Sequence, residues 1–411
     1  MKIAIVDGYS TARFLVGELT GRGADCLHLR SQEHPPAVYA RAFDAASYRE
    51  DLGWFPRSSL AAAALAEAGV DRVVAGTESG VLLADELNHL LGLPGNAPET
   101  AEARRDKAAM AKALRAAGIA AVEDIEVATA EEGLAWFHGR GGRPVVVKPR
   151  ASAGSDNVWV CHTEEQVTAA CRKVLADTDF FGTPNHTALV QEYLDGPEYH
   201  ADSASLDGEH KIAEVWRSYR LPQGNGAFVY DYEEPLQADD PVAVEISAYV
   251  KDVLTALGIR NAAGHSELRI TERGPVLLET GARLIGGILP HVSAEYAGVS
   301  HVSLLTDTLV DHAAFAAFDD TTVRWSKPVR WVSLISDRAG TATTDGWRDT
   351  LTGLPTCQGL VSRIGPGKPV PATVDLASSP GFVYLAADRH EDVRRDYEAL
   401  RAAETKGFYL S

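Results

Sequence analysis

The sequence predicts a mixed fold, α/β passing into α+β, and three observations carry that expectation. Through the first hundred residues short apolar strands alternate with helical patterns, the rhythm of a parallel sheet. Farther on the strands are joined by tight turns, at Asp207-Gly208 and at Glu272-Arg273-Gly274, which predicts antiparallel hairpins. From Val329 onward short strands and turns lead into a charged helix over 391–405, which predicts a small C-terminal α+β subdomain.

Taken in order, Ile3 to Val6 reads as a first strand, Ala12 to Thr20 as a helix and Asp25 to Leu29 as a second strand. A second unit follows, with a helix from Leu60 to Ala68, a strand over 72–76 and an amphipathic helix from Val81 to Leu91. Ligands of such sheets bind beyond the carboxyl ends of the strands. Glu78 stands at one of these ends, where it suits either a helix N-terminus or a substrate. A turn cluster at 93–96 precedes an expected charged helix over 101–117, and a domain boundary falls near it.

The run from Arg143 to Lys148 is a β-branched strand ending in a lysine. Small residues follow, among them Ser152, Gly154 and Ser155. Their lack of bulk lets backbone N–H groups approach phosphate oxygens, although a ligand-free turn has the same composition. Residues 188–202 read as strand, bend and strand. A strand edge and a carboxylate such as Glu198 suit a base and a ribose, and a plain antiparallel sheet would show the same alternation. Residues 222–235, punctuated by glycine and carrying Tyr230 and Tyr232, are expected to form a mobile substrate loop.

Two short strands joined at 272–274 carry one carboxylate each, Glu267 and Glu279, and Arg283 follows four residues later. Mg²⁺ takes one or two carboxylates and completes its shell with substrate phosphates. Solvated charges on an exposed hairpin are the alternative. Glu279 closes the apolar run Val276-Leu277-Leu278, so its carboxylate emerges where a core ends, and a half-buried carboxylate needs a partner.

Composition narrows the function classes. With 39 Lys+Arg against 57 Asp+Glu in 411 residues, the formal charge of −18 opposes binding to a nucleic-acid backbone. No apolar run approaches the roughly 20 residues of a membrane helix. The first residues read as a strand rather than a signal peptide, so the expected location is cytoplasmic. Cys26, Cys161, Cys171 and Cys357 show no paired spacing and are expected to be core residues.

The order Arg105-Asp106-Lys107, Lys148 with its small-residue loop, Gln191-Glu192-Tyr193-Leu194 with Gly196 and Glu198, then Glu267, Glu279 and Arg283 resembles the ATP-grasp superfamily. The segment from Glu279 to Gly287 is most similar to that of bacterial L-amino-acid ligases, the dipeptide synthetases. The resemblance implies an N-terminal domain over 1–103, a central lid over 104–186, a catalytic domain over 187–325 and the C-terminal subdomain over 326–411. It implies ATP held by Lys107, Lys148, Ser152, Gly154, Ser155, Gln191, Glu192, Tyr193, Leu194 and Glu198. Glu267 and Glu279 would bind Mg²⁺ as a pair of ions, and Arg283 would stabilise the charged intermediate. Glu78 would recognise an amino-acid substrate, and Gly287 would leave a roomy acceptor pocket.

Gly281 stands where many of these enzymes carry asparagine, as the dipeptide ligases also lack it. The implied activity is ATP-dependent amide formation between two amino acids through an acyl phosphate. A γ-glutamyl ligase, another ATP-grasp amide ligase and a non-catalytic ATP-binding regulator are the competing readings. A homodimer is common in that family.

Overall fold

The computed structural model describes residues 1–36, 39, 43–152, 154, 157–222 and 228–410. Its N-terminal sheet is parallel, with β1 (Lys2–Val6), β2 (Asp25–Arg30), β3 (Glu50–Trp54) and β4 (Arg72–Ala75) in the order β3-β2-β1-β4. Ile3, Ala4, Ile5 and Val6 are fully buried because helices cover both faces of such a sheet. The helix Ala12–Gly21 buries Ala12, Leu15, Val16 and Leu19, the i, i+3, i+4, i+7 stripe of a packed helix. The chain leaves β1 for β2 on one side and meets β4 on the other. The carboxyl ends of β1 and β4 therefore frame a crevice, and Glu78 closes it.

A second, antiparallel sheet follows: β5 (Asp124–Val127), β6 (Val145–Lys148), β7 (Trp159–Cys161) and β8 (Ala188–Glu192), ordered β5-β8-β6-β7. Its covering helices, Ala130–Gly139 and Glu164–Ala176, start at reciprocal caps between Thr129 and Glu132 and between Thr163 and Gln166. The charged helix expected over 101–117 begins only at Lys107. Asp106 accepts the Ala109 N–H and so caps Lys107–Ala116, while Glu102–Arg104 forms a single 3-10 turn.

The largest sheet has eight strands: β9 (Glu198–Leu206), β10 (Glu209–Pro222), β11 (Phe228–Pro235), β12 (Ala263–Thr271), β13 (Gly274–Gly281), β14 (Val329–Ser333), β16 (Cys357–Ser362) and β18 (Gly381–Ala386). The short pair β15 (Gly340–Thr341) and β17 (Pro369–Val370) stands apart, and the eight run in the order β13-β12-β9-β10-β11-β14-β18-β16. The C-terminal strands have a core of their own around Trp347, Val383 and Tyr409, yet they extend this sheet rather than build a separate one. The β9–β10 turn takes positive φ at both Asp207 and Gly208, as the Asp-Gly pair requires.

The expectation of a mobile loop over 222–235 is overturned for its second half only. Residues 223–227 lie outside the described residues, and Phe228–Pro235 is a strand paired with both β10 and β14. Cys26, Cys161 and Cys171 are buried, Cys357 is half-buried, and none is bridged. Among the described residues no helix is long and apolar enough to cross a membrane.

Candidate active site

Glu267 and Glu279 are direct partners across β12 and β13, so both carboxylates leave the same face. A register shift just beyond Glu267 displaces Leu278, letting Glu279 face the cleft while Leu277 stays in the core. Lys107 Nζ lies 2.6 Å from Glu279 Oε2. The Lys107 N–H donates to Arg150 O at 3.0 Å, which ties the start of that helix to the chain just beyond Lys148. The two lysines thus arrive together although 41 positions apart in the sequence.

Lys148, at the end of β6, is only 7% exposed. Burial, and then the neighbouring Lys107 charge, push its ammonium down to about 8, against the pull of Glu279 and Glu267. Glu279 is held down at about 2: burial opposes ionisation, and Lys107, Lys148 and Arg283 outweigh it. A buried ammonium beside a second one is a site for an added anion. Among the described residues no group of three or more His, Cys, Asp or Glu side chains is arranged to hold a metal ion by itself. Two facing carboxylates, each side chain 27% exposed, fit Mg²⁺, whose remaining ligands are phosphate oxygens and water.

Arg283 Nε donates to Glu78 Oε2 at 2.9 Å, and Arg105 Nη1 meets Glu78 Oε1 at 2.8 Å. Glu78, from the N-terminal crevice, thereby bridges two arginines. Although burial opposes ionisation, their charges lower its carboxyl. Arg283 Nη1 donates to Leu284 O, and Nη2 has no partner among the described residues. Gly281 makes this bridge possible, because a Cβ there would sit 2.6 Å from Glu78 Oε2. The space that a side chain at position 281 would take is occupied by the Glu78–Arg283 pair.

The residues expected around adenosine divide by face. On β8, Gln191 pairs with Val146, so it shares the face of Lys148, while Glu192 turns to the other side. Glu192 is taken up by the Glu123 N–H at 3.0 Å, Arg273 at 2.5 Å and Arg140 at 3.3 Å, beside a separate cavity of about 400 Å³. Gln191 and Asp124 lie side by side on the Lys148 face, within reach of each other, and Asp124 Oδ1 is paired with Arg115 at 2.9 Å. Asp124 escaped the sequence reading; nothing in the local pattern marks it.

Tyr193 N–H donates to Pro144 O at 3.2 Å, and Leu194 O accepts from Arg269 at 2.8 Å. Glu198 is paired with both Arg220 and Arg269, the latter at 3.0 Å, so its oxygens already have cations. Gly196 has φ +128°, and a Cβ there would lie 2.0 Å from Ile270 O, which fixes the bend between β8 and β9 against the β12–β13 hairpin. Ser152 Oγ accepts the Phe180 N–H at 3.2 Å. Gly154 takes φ +70° in open space, and Ser155 lies outside the described residues.

Two expected substrate contacts are placed differently. A bulge at Asp231 pairs Tyr230 with Arg220 but Tyr232 with Tyr219, so the two tyrosines face opposite sides of β11. Tyr230 lies under the Arg220 guanidinium, 3.4 Å from ring centre to Cζ, on the Glu267 side. Tyr232 stacks on Tyr219 and packs against Tyr397, away from the cleft. Gly287 has φ +80°, and a Cβ there would meet Phe382 at 2.9 Å. Its smallness answers a left-handed turn and that ring rather than an open pocket.

Behind Glu267 lies a buried network the sequence did not announce. His265 Nε2 contacts Glu267 Oε1 at 3.3 Å and His265 Nδ1 contacts Asp202 Oδ1 at 2.8 Å, with His200 and His301 against the same aspartate. Over the cleft, Tyr39 stacks on Tyr9 and meets Phe180 edge-on, within electrostatic reach of Arg283 and Glu78.

Residues 142–291 match the ATP-grasp domain family. Over 416 aligned residues the chain is 31% identical to dapdiamide A synthase of Enterobacter agglomerans, covering 99% of this chain and 97% of that one. This chain belongs to the ATP-grasp ligases. It is an enzyme that forms C–N bonds of the amide type. It is also 27% identical to the L-arginine-specific L-amino acid ligase of Bacillus subtilis, over 53% of this chain and 52% of that one. In fold it is similar to the crystal structure of L-amino acid ligase from Bacillus licheniformis, with TM-score 0.75, 19% identity, and 98% and 97% of the two chains covered.

Proposed function

We propose that this ATP-grasp ligase joins two amino acids, activating the carboxylate of one as an acyl phosphate and capturing it with the amine of the other. The observation that carries the reading is the convergence of Glu267, Glu279, Lys107, Lys148 and Arg283 on one face of the β12–β13 hairpin. Similarity to dapdiamide A synthase along nearly the whole chain supports it.

A carboxylate resists attack by an amine because its oxygens are poor leaving groups. In the first step a carboxylate oxygen attacks the γ-phosphorus of ATP, the bond to the β–γ bridging oxygen breaks, and ADP departs. Lys148 and Lys107 hold the phosphate charge in place, which is most of what phosphoryl transfer asks of a protein. Mg²⁺, as a pair of ions on Glu267 and Glu279, would neutralise the phosphate oxygens. Gln191, buried on the Lys148 face, would contact the adenine edge. The amine of the second substrate then attacks the acyl carbon, Arg283 meets the negative tetrahedral oxygen, and phosphate leaves with an amide formed. Arg283→Ala is expected to lower kcat by on the order of 10²–10³, as for other lost oxyanion donors.

The test is ADP and phosphate release with Mg²⁺-ATP and all pairs of L-amino acids, with mass spectrometry of the products. Release that requires two amino acids, with a new mass equal to their sum less water, establishes the reading. Release with one amino acid or none overturns it.

A further inference from the structure

The amino acid that supplies the amine also carries a carboxylate, and that charge must be met by a cation not already committed to the chemistry. Lys107 is bound to Glu279, Arg105 and Arg283 share Glu78, and Lys148 faces the phosphate side. Arg363 is different. It stands just past β16, anchored by its N–H to Pro380 O at 2.8 Å, with its guanidinium 4.9 Å over the Phe382 ring.

That ring is the one packed against Gly287, four residues beyond Arg283. Tyr39, within electrostatic reach of Arg283 and Glu78, is within electrostatic reach of Arg363 as well. Arg363 therefore stands at the rim of the same cleft, on the C-terminal side. Among the described residues the guanidinium has one hydrogen-bond acceptor, the neutral Leu376 O. Among the described residues it has no ion-pair partner; Asp375, the nearest acid in electrostatic terms, is itself bound by the Ser378 N–H at 2.8 Å and hydroxyl at 2.6 Å. The side chain is exposed and open to a ligand. A planar guanidinium braced on an aromatic face is well suited to two-point capture of a carboxylate.

We propose that Arg363 binds the carboxylate of the amine-supplying amino acid and so selects free amino acids over neutral amines. The inference rests on the ligase reading above and adds a specificity determinant from the C-terminal subdomain. A purely structural Arg363, holding Phe382 and the chain near Leu376, would affect all amines alike.

The experiment gives the purified full-length enzyme Mg²⁺-ATP, an equimolar mixture of the twenty L-amino acids and an equal concentration of their α-carboxamides. Mass spectrometry then compares dipeptides with dipeptide amides. A parallel reaction replaces the carboxamides with hydroxylamine, a carboxylate-free nucleophile that traps the acyl phosphate as hydroxamate. Wild type should favour free acids by on the order of 10–100-fold, the range of a hydrogen bond to a charged group. Arg363→Met should bring that ratio toward one while keeping hydroxamate formation, and Arg363→Lys should restore part of it. A wild-type ratio near one, an unchanged ratio in Arg363→Met, or equal loss of dipeptides, dipeptide amides and hydroxamate would overturn the assignment. Hydroxamate with no coupled product from either mixture would do the same. No hydroxamate at all from wild type would instead remove the amino-acid ligase reading on which the assignment stands.

Discussion

Replacing Gly281 with alanine should disable the enzyme without unfolding it. The added Cβ falls 2.6 Å from Glu78 Oε2 and 3.2 Å from Arg283 Nε, where ordinary contact begins at 3.4 Å. Glu78 cannot swing into water, because Arg105 holds its other oxygen and its side chain is only 11% exposed. The carboxylate must retreat by roughly 0.8 Å to reach contact distance. The 2.9 Å bond to Arg283 then stretches to about 3.7 Å, beyond hydrogen-bond range. At an effective dielectric of about 20 the Coulomb loss is about 1 kcal/mol. The charge-assisted hydrogen bond adds about 1.5–3 kcal/mol. Together these amount to roughly 10²–10³ in the population of correctly aimed Arg283, and kcat should fall by that factor. The assay is ADP release at saturating substrates, with circular dichroism to check the fold. Gly17→Ala is the control: that glycine is exposed within a helix with nothing within 4 Å, and the change should be neutral or slightly stabilising. A folded Gly281→Ala enzyme turning over within a factor of about three of wild type would refute the argument that this position holds Arg283 through Glu78.

Glu279→Gln should abolish turnover and leave the circular-dichroism spectrum intact; unchanged activity at saturating Mg²⁺ would return this residue to a solvated hairpin face. Lys148 carries its charge below about 8 and loses it above, so kcat/KM for ATP should decline as pH rises through that value, and Lys148→Arg should flatten the profile. A wild-type profile flat to pH 9 would take Lys148 away from the phosphates. Glu233 is pushed up to about 8 by burial. A folded-state value above the unfolded one means that the neutral carboxyl's contribution is complete below about 4.5 and lost as pH rises through about 8. Glu233→Gln should therefore gain on wild type in urea unfolding between pH 5 and 9, by on the order of 1–3 kcal/mol, in metal-free buffer. A difference that does not change with pH would show the carboxyl to be solvated.

The strands and helices that place the site were legible where the signal is local. Asp207-Gly208 needs only its own backbone to make a hairpin turn, and the stripe Ala12, Leu15, Val16, Leu19 needs only the helical period. The hairpin carrying Glu267 and Glu279 was readable for the same reason. Tyr232 was not, because one bulged residue reverses the facing of everything beyond it and no composition marks the bulge. Glu192 and Glu198 looked like ligand carboxylates, and the structure pairs them with arginines from distant strands and turns. Gly287 looked like space, and Phe382, 95 positions later, fills it.

By itself the sequence determined the class of fold, the ATP-grasp motifs in their order, and the two carboxylates that share a face, since each depends on periodicity or on residues a few positions apart. Only the tertiary structure decided the Glu78–Arg283 bridge across 205 positions and the meeting of Lys107 with Glu279. It alone set Arg363 over Phe382, the ring packed against Gly287. Charges meet through space, and a chain of alternating strands and helices does not record which of its cations will be left without an acid.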